Sequence, residues 1–165
     1  NNQTEMFPDV GAGVYFYQML SGAMDGDMFY AGVSVPQVAG IDLTFKNDDG
    51  EFAVQRVQHC YGMVGLYHFF RNDGFIEPSL WIKYVDGAPI NADLNFRYQT
   101  PAALWIGTGA SSSGDFHFEA GFNLGDNVGF YNNLKIGYGY DYSFSSFGPS
   151  VGNTHELQVS YSFDR

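Results

Sequence analysis

Along most of the chain, apolar and polar residues alternate with a period of two. In LKIGYGYDYSFS, residues 134–145, one phase holds Leu134, Ile136, Tyr138, Tyr140, Tyr142 and Phe144. The other holds Lys135, Gly137, Gly139, Asp141, Ser143 and Ser145. Successive side chains on a strand point to opposite faces, so this pattern predicts a β-strand with one apolar face. Eight further stretches read the same way: 10–18, 28–36, 59–70, 76–85, 90–99, 103–111, 115–124 and 155–163. Between them lie turn-rich links such as RNDG, DGAP and SSGD. Pro36 stops the second strand, and Pro78 marks a start, bulge or edge position. HCYGMVGLYHFF is apolar or aromatic in both phases, which leaves its facing ambiguous. Residues 37–56 are the least regular part: IDLTF reads as a short strand or a loop edge, and KNDDGEF as a polar hairpin tip or loop. No segment has helical period, so nine strands in meander order predict antiparallel neighbours with up-and-down connectivity.

Alternation fits a soluble sheet that hides one face in a core, and equally a membrane barrel that turns it to lipid. Length favours the barrel. Soluble strands run about five or six residues and membrane-crossing strands about 9–11. The opposite phase is rich in Gly, Ser, Asn and single charges, as suits a narrow lumen. Aromatic residues gather near segment ends, at Phe69, Phe70, Tyr84, Tyr98, Tyr142 and Phe144, like an interfacial girdle. The chain also closes on an amphipathic strand carrying Leu157, Val159, Tyr161 and Phe163. The expected fold is therefore all-β, an antiparallel up-and-down transmembrane β-barrel of outer-membrane type. Residues 1–165 form a single barrel domain or the C-terminal part of one. Nine is odd where bacterial single-chain barrels are even, and the chain opens on NNQTEMFPDV without an initiator methionine. Both point to further strands upstream and a C-terminal half.

Composition sharpens this. With 16 Phe, 12 Tyr and 21 Gly the chain favours strands over helices. Eighteen acidic residues against seven Lys and Arg give a net charge of -11, which argues against nucleic acid as a partner. Cys60 is the single cysteine and cannot form an internal disulfide. No run of eighteen apolar residues encodes a transmembrane helix.

Several stretches, taken in order, resemble the PorP/SprF family of Bacteroidota: VGAGVYFYQ, FYAGVSVPQ, EPSLWIKYVDGAPINADLNFRYQ, LWIGTGAS and KIGYGYDYSFSSFGPSVGNTHELQVSYSF. The resemblance runs from about Asp9 to the end. It implies an outer-membrane β-barrel of the type IX secretion system that supports secretion and surface anchoring of large cargo proteins such as gliding adhesins. The implied partners are a large secreted adhesin or its C-terminal domain, other type IX components and outer-membrane lipid. Members are usually about twice as long, so this chain resembles a C-terminal half. One departure is that LWIGTGAS runs into SSSGD, where the family commonly carries an arginine-bearing segment. The resemblance also singles out His155 and Glu156, at the start of the last strand, as a rim hydrogen-bonding pair.

Candidate chemistry is sparse. His59, His68, His117 and His155 are scattered, without the ligand spacing of a zinc site. Asp25, Asp27, Asp48, Asp49 and Glu51 sit in runs too short for a calcium hand. No phosphate loop or GxSxG is present. A barrel hydrolase would need His155, Asp141 and Ser143 or Ser145 to meet across adjacent strands, yet serines are ordinary on a lumen face. No catalytic residue, metal or cofactor is assigned. Glu77, Lys83, Asp93, Arg97, Glu119, Lys135 and Asp141 share the polar phase and are expected to form a lumen network, because buried charges require partners. Trp81 and Trp105 share that side and are expected to plug it. The alternatives are a porin-like passive channel and a soluble β-barrel binding a small apolar ligand. The long acidic excursions 18–27 and 37–56 are candidate partner surfaces.

Overall fold

The computed structural model describes residues 10–21, 26–38, 42–47, 50–55, 57–125, 129, 133–144 and 153–163. For 42–47 and 50–55 it defines the course of the backbone. Asp25, Asp48, Asp49, Ser145 and the side chain of Glu51 lie outside this description.

Nine strands form one sheet: β1 (Ala12–Met19), β2 (Met28–Val35), β5 (His59–Phe69), β6 (Phe75–Val85), β7 (Asn91–Gln99), β8 (Leu104–Ser111), β9 (Asp115–Leu124), β10 (Asn133–Ser143) and β11 (Thr154–Ser162). Every neighbouring pair is antiparallel, and the spatial order follows the chain. These are the nine alternating stretches of the sequence. The irregular excursion between β2 and β5 contributes a separate two-stranded sheet, β3 (Asp42–Asn47) and β4 (Gly50–Gln55). Within the polar KNDDGEF run, Lys46 and Asn47 thus pair in backbone with Glu51 and Gly50. Among the described residues, no helix is long and apolar enough to cross a membrane.

Pro78 is neither at a strand start nor on an edge strand. It lies inside β6, in the middle of the sheet, and faces Phe96 in an unbroken ladder with β7. On the other side the ladder with β5 runs to Gly65↔Ser79 and resumes at His68↔Ile76, without a shift of register. The donor that proline lacks is absorbed by that two-residue gap rather than by a bulge.

The sheet is curled. One cavity of about 810 Å³ is lined by side chains from Tyr30 on β2 to Thr154 on β11. Apolar residues cover the convex side: Leu94 is 62 % exposed, and Ile106, Phe118, Phe122 and Tyr138 are exposed as well. The buried hydrophobic core is small, limited to Tyr30, Ala103 and Trp105 among the described residues. A sheet with its large apolar side chains outside and its polar ones inside is inverted relative to a soluble sandwich. β1 and β11 form the two edges. As the first and ninth of nine strands that alternate in direction, these edges run parallel to each other.

The links also segregate. Residues 20–21, 26–27, 70–74, 100–103, 125 and 129 lie at the end of the sheet where β11 finishes. Residues 36–38, 57–58, 86–90, 112–114, 144 and 153 lie at the other. Of the two acidic excursions, residues 20–21 and 26–27 of the first and residues 37–38 of the second therefore lie at opposite ends of the sheet.

Candidate functional site

Cross-strand partners share a face, so register decides what the concave side presents. One row runs from Tyr30 through Gly65, Ser79, Asn95, Gly109 and His117 to Asp141 and Thr154. The adjacent row carries Glu77, Arg97, Gly107, Glu119, Gly139 and Glu156.

Charge pairing is concentrated on β6 and β7. Glu77 is 8 % exposed. It accepts a hydrogen bond of 2.7 Å from the Tyr30 hydroxyl and an ion pair from the Arg97 guanidinium. One buried carboxylate thus has both oxygens engaged, as a charge held out of water requires. Lys83 Nζ lies 2.7 Å from Asp93 Oδ2. Lys135 Nζ stands 4.8 Å from the centre of the Trp105 ring, a cation–π contact. Glu119 packs over Gly107, while Asp141 faces the cavity beside His117. Of the seven polar-phase residues, Glu77, Lys83, Asp93, Arg97, Glu119 and Asp141 line the cavity, and Lys135 lies against Trp105.

The polar-phase glycines are a floor for large side chains. A Cβ on either Gly121 or Gly137 would stand 2.6 Å from the Trp105 ring. A Cβ on Gly65 would overlap the Tyr30 ring, and one on Gly109 the His117 ring. Trp105 consequently lies flat on β9 and β10 at 2 % exposure, held against the wall rather than across the space. The expected tryptophan plug is therefore absent for Trp105, because two neighbouring strands leave room for the indole in the wall itself. Trp81 lines the cavity and remains 43 % exposed.

The other sequence candidates are placed as follows. His155 and Glu156 are adjacent on β11 and stand on opposite faces. The His155 hydrogen bond, 2.6 Å, joins its Nδ1 to the Tyr138 hydroxyl on the convex side. Asp141 is concave, so His155 and Asp141 do not converge and the hydrolase constellation is not assembled. In the aromatic girdle, Phe70 and Tyr98 meet on the convex side at 6.3 Å between ring centres, and Tyr142 meets Phe144 at 4.5 Å. Phe69 instead joins the concave side, stacked on Tyr67 at 6.1 Å, because the β5 register puts it in phase with Gly65. Among the described residues, no three His, Cys, Asp or Glu gather as metal ligands.

One cluster had no signal in the sequence. Asp27, just before β2, is 2 % exposed. Its carboxylate meets His68 Nδ1 at 2.8 Å and accepts a 3.2 Å bond from the Phe69 amide. The His68 hydrogen bond, aided by that amide, holds the Asp27 carboxyl below the usual carboxylate range against an opposing desolvation effect.

An all-antiparallel sheet, greasy outside and charged inside, defines a membrane protein of the β-strand type. The profile of the type IX secretion system membrane protein family PorP/SprF matches residues 1–161, and the chain belongs to that family. No curated protein and no solved structure matches the chain.

Proposed function

We propose that this chain is the C-terminal part of an outer-membrane β-barrel that supports secretion and surface anchoring of large cargo proteins, such as gliding adhesins, by the type IX system. The observation that carries the barrel reading is the inverted sheet, with exposed Leu94, Phe118 and Val159 outside and the Glu77–Arg97 pair inside. Hydrocarbon offers no partner to backbone groups, so the free edges of β1 and β11 must be paired within a closed wall. Since those edges run parallel, antiparallel closure takes an odd number of further strands, which also brings the total to an even number. Outer-membrane barrels keep short turns inside and longer loops outside. On that rule the end where β2 finishes and β5 begins, whose links are the longer in sequence, faces the exterior, where cargo or its C-terminal domain would dock.

The test is deletion of the gene, followed by complementation with the full-length protein and with a form lacking residues 37–56. Loss of surface cargo on deletion, restored by the full-length protein, is expected. Unchanged surface cargo in the deletion strain would refute the reading. Cargo stranded in the periplasm despite a folded barrel lacking 37–56 would assign docking to that excursion.

A further inference from the structure

We propose that a groove on the convex face, across β7–β10, holds one acyl chain of a zwitterionic phospholipid from the surrounding bilayer. The inference rests on the barrel reading above and deepens it, from a lipid-facing wall to one defined lipid site.

The groove follows from register and side-chain size. In the row Tyr98, Ile106, Ala120 and Tyr138, one alanine methyl stands between far larger side chains. Phe118, two residues from Ala120 on β9, and Phe96, two residues from Tyr98 on β7, stand beside that row on the same face. The result is a groove of about 450 Å³ lined by all six. Ile106, Phe118, Ala120 and Tyr138 are exposed in it. This exposure does not come from a sheet edge. Each of β7–β10 is paired on both sides, so strands added beside β1 and β11 close the wall without covering this face.

The polar atoms of the face say what covers it. By register, the convex side of β7–β10 carries no charged side chain. Two hydroxyls of the groove are engaged within the wall itself. Thr108 Oγ1 donates to the His117 carbonyl at 3.2 Å, and the Tyr138 hydroxyl is bonded to His155 Nδ1 at 2.6 Å. Hydroxyls that face hydrocarbon need such internal partners, because hydrocarbon offers none. A protein partner would instead call for a polar rim and hydrogen bonds across it. A lipid with clustered phosphates would call for Lys or Arg beside the groove, and this face has neither. A flexible chain of methylenes meets the walls of the groove as well as its floor, and so gains more contact there than on a flat stretch of wall.

The test uses the full-length protein in detergent. The probe is a trace of phosphatidylcholine carrying a diazirine in its acyl chain, and adducts are located by peptide mass spectrometry. Adducts are expected at Ile106, Phe118, Ala120 and Tyr138 in excess of Leu94. Leu94 lies on the same face and, at 62 %, is more exposed than Ile106, Phe118 or Tyr138. Ala120→Phe should lower that excess about fourfold for each methylene it displaces and leave the Leu94 adduct unchanged. Ala120→Leu fills less of the groove and should have a smaller effect. Ala120 is exposed, and heat-modifiable migration checks that both variants fold. Adducts that follow exposure, highest at Leu94 and indifferent to both variants, overturn this inference and leave the barrel reading standing. Protein that stays dissolved without detergent and takes no adduct on the convex face overturns both.

Discussion

The middle of the sheet and its two edges obey different rules. On β6–β9 most concave residues are packed, Trp81 and Lys83 excepted: Trp105 is 2 %, Glu77 8 % and Ser79 9 % exposed. On β1 and β11 every residue is exposed, on both faces. Both kinds of strand alternate equally well in sequence, so alternation does not create the difference. The centre is held by side chains that span two or three strands, as Glu77 joins Tyr30 and Arg97, and as Trp105 lies over Gly121 and Gly137. Among the described residues, β1 and β11 each have one hydrogen-bonded neighbour. The centre should therefore respond to changes in packing, and the edges chiefly to loss of pairing.

The sharpest way to break the comparison is at Trp105. Trp105→Ala removes a fully buried ring that fills the space above two glycines, and should cost about 3–5 kcal/mol. Gel-shift melting of the folded barrel would read this as a large drop in midpoint. Tyr17→Ala on β1, where the ring is 65 % exposed, should change the midpoint little. Equal effects at the two sites would show that the centre is not the stabilising region. Glu77→Ala comes next. It leaves the Arg97 guanidinium without its partner at a largely buried site, and a loss of about 3 kcal/mol is expected. Asp93→Ala should cost under about 1 kcal/mol, since Lys83 is 45 % exposed and water replaces the lost partner.

An effect comparable to that of Glu77→Ala separates the two faces at the centre. Leu94→Arg places a charge on the convex side, and about 2–4 kcal/mol is expected if that position lies near the bilayer midplane. Asn95→Arg, one residue along, points into the cavity beside Asp93 and should be nearly neutral. Refolding yield into lipid vesicles would separate the two variants. Equal yields would remove lipid from the convex face.

The nine strands were legible because period-two alternation is a local property. So was the facing of 134–144, whose apolar phase leaves Ile136, Tyr138 and Phe144 exposed on the convex side while Lys135, Gly137 and Asp141 turn to the concave one. The facing of β5 was not legible, since HCYGMVGLYHFF is apolar in both phases and register with β6 alone selects Tyr61, Met63 and Gly65 for the concave side. The same limit hid the role of the glycines. Gly121 and Gly137 read as small lumen residues until pairing brought both under Trp105 from a third strand. Pro78 misled because its local meaning, a missing donor, is independent of whether a neighbouring ladder has a gap to accommodate it. The family resemblance needed no register, since it rests on ordered stretches of sequence, and the profile match over residues 1–161 agrees with it.

Asp27 offers the smallest and most local test. It ties the β1–β2 link to the end of β5 through His68 and the Phe69 amide. Because these contacts hold its carboxyl below the ordinary value of 3.8, folding binds fewer protons there than unfolding does. The contribution is thus complete above the unfolded pKa, near 4, and is lost as pH falls through the lower folded value. Hydrogen exchange at the Phe69 amide should accelerate, relative to amides in mid-β7, when pH is taken from 5 to below 3. In Asp27→Asn that extra pH dependence should vanish while the β7 amides are unchanged. A variant that kept the wild-type pH response would show that another group fastens this corner.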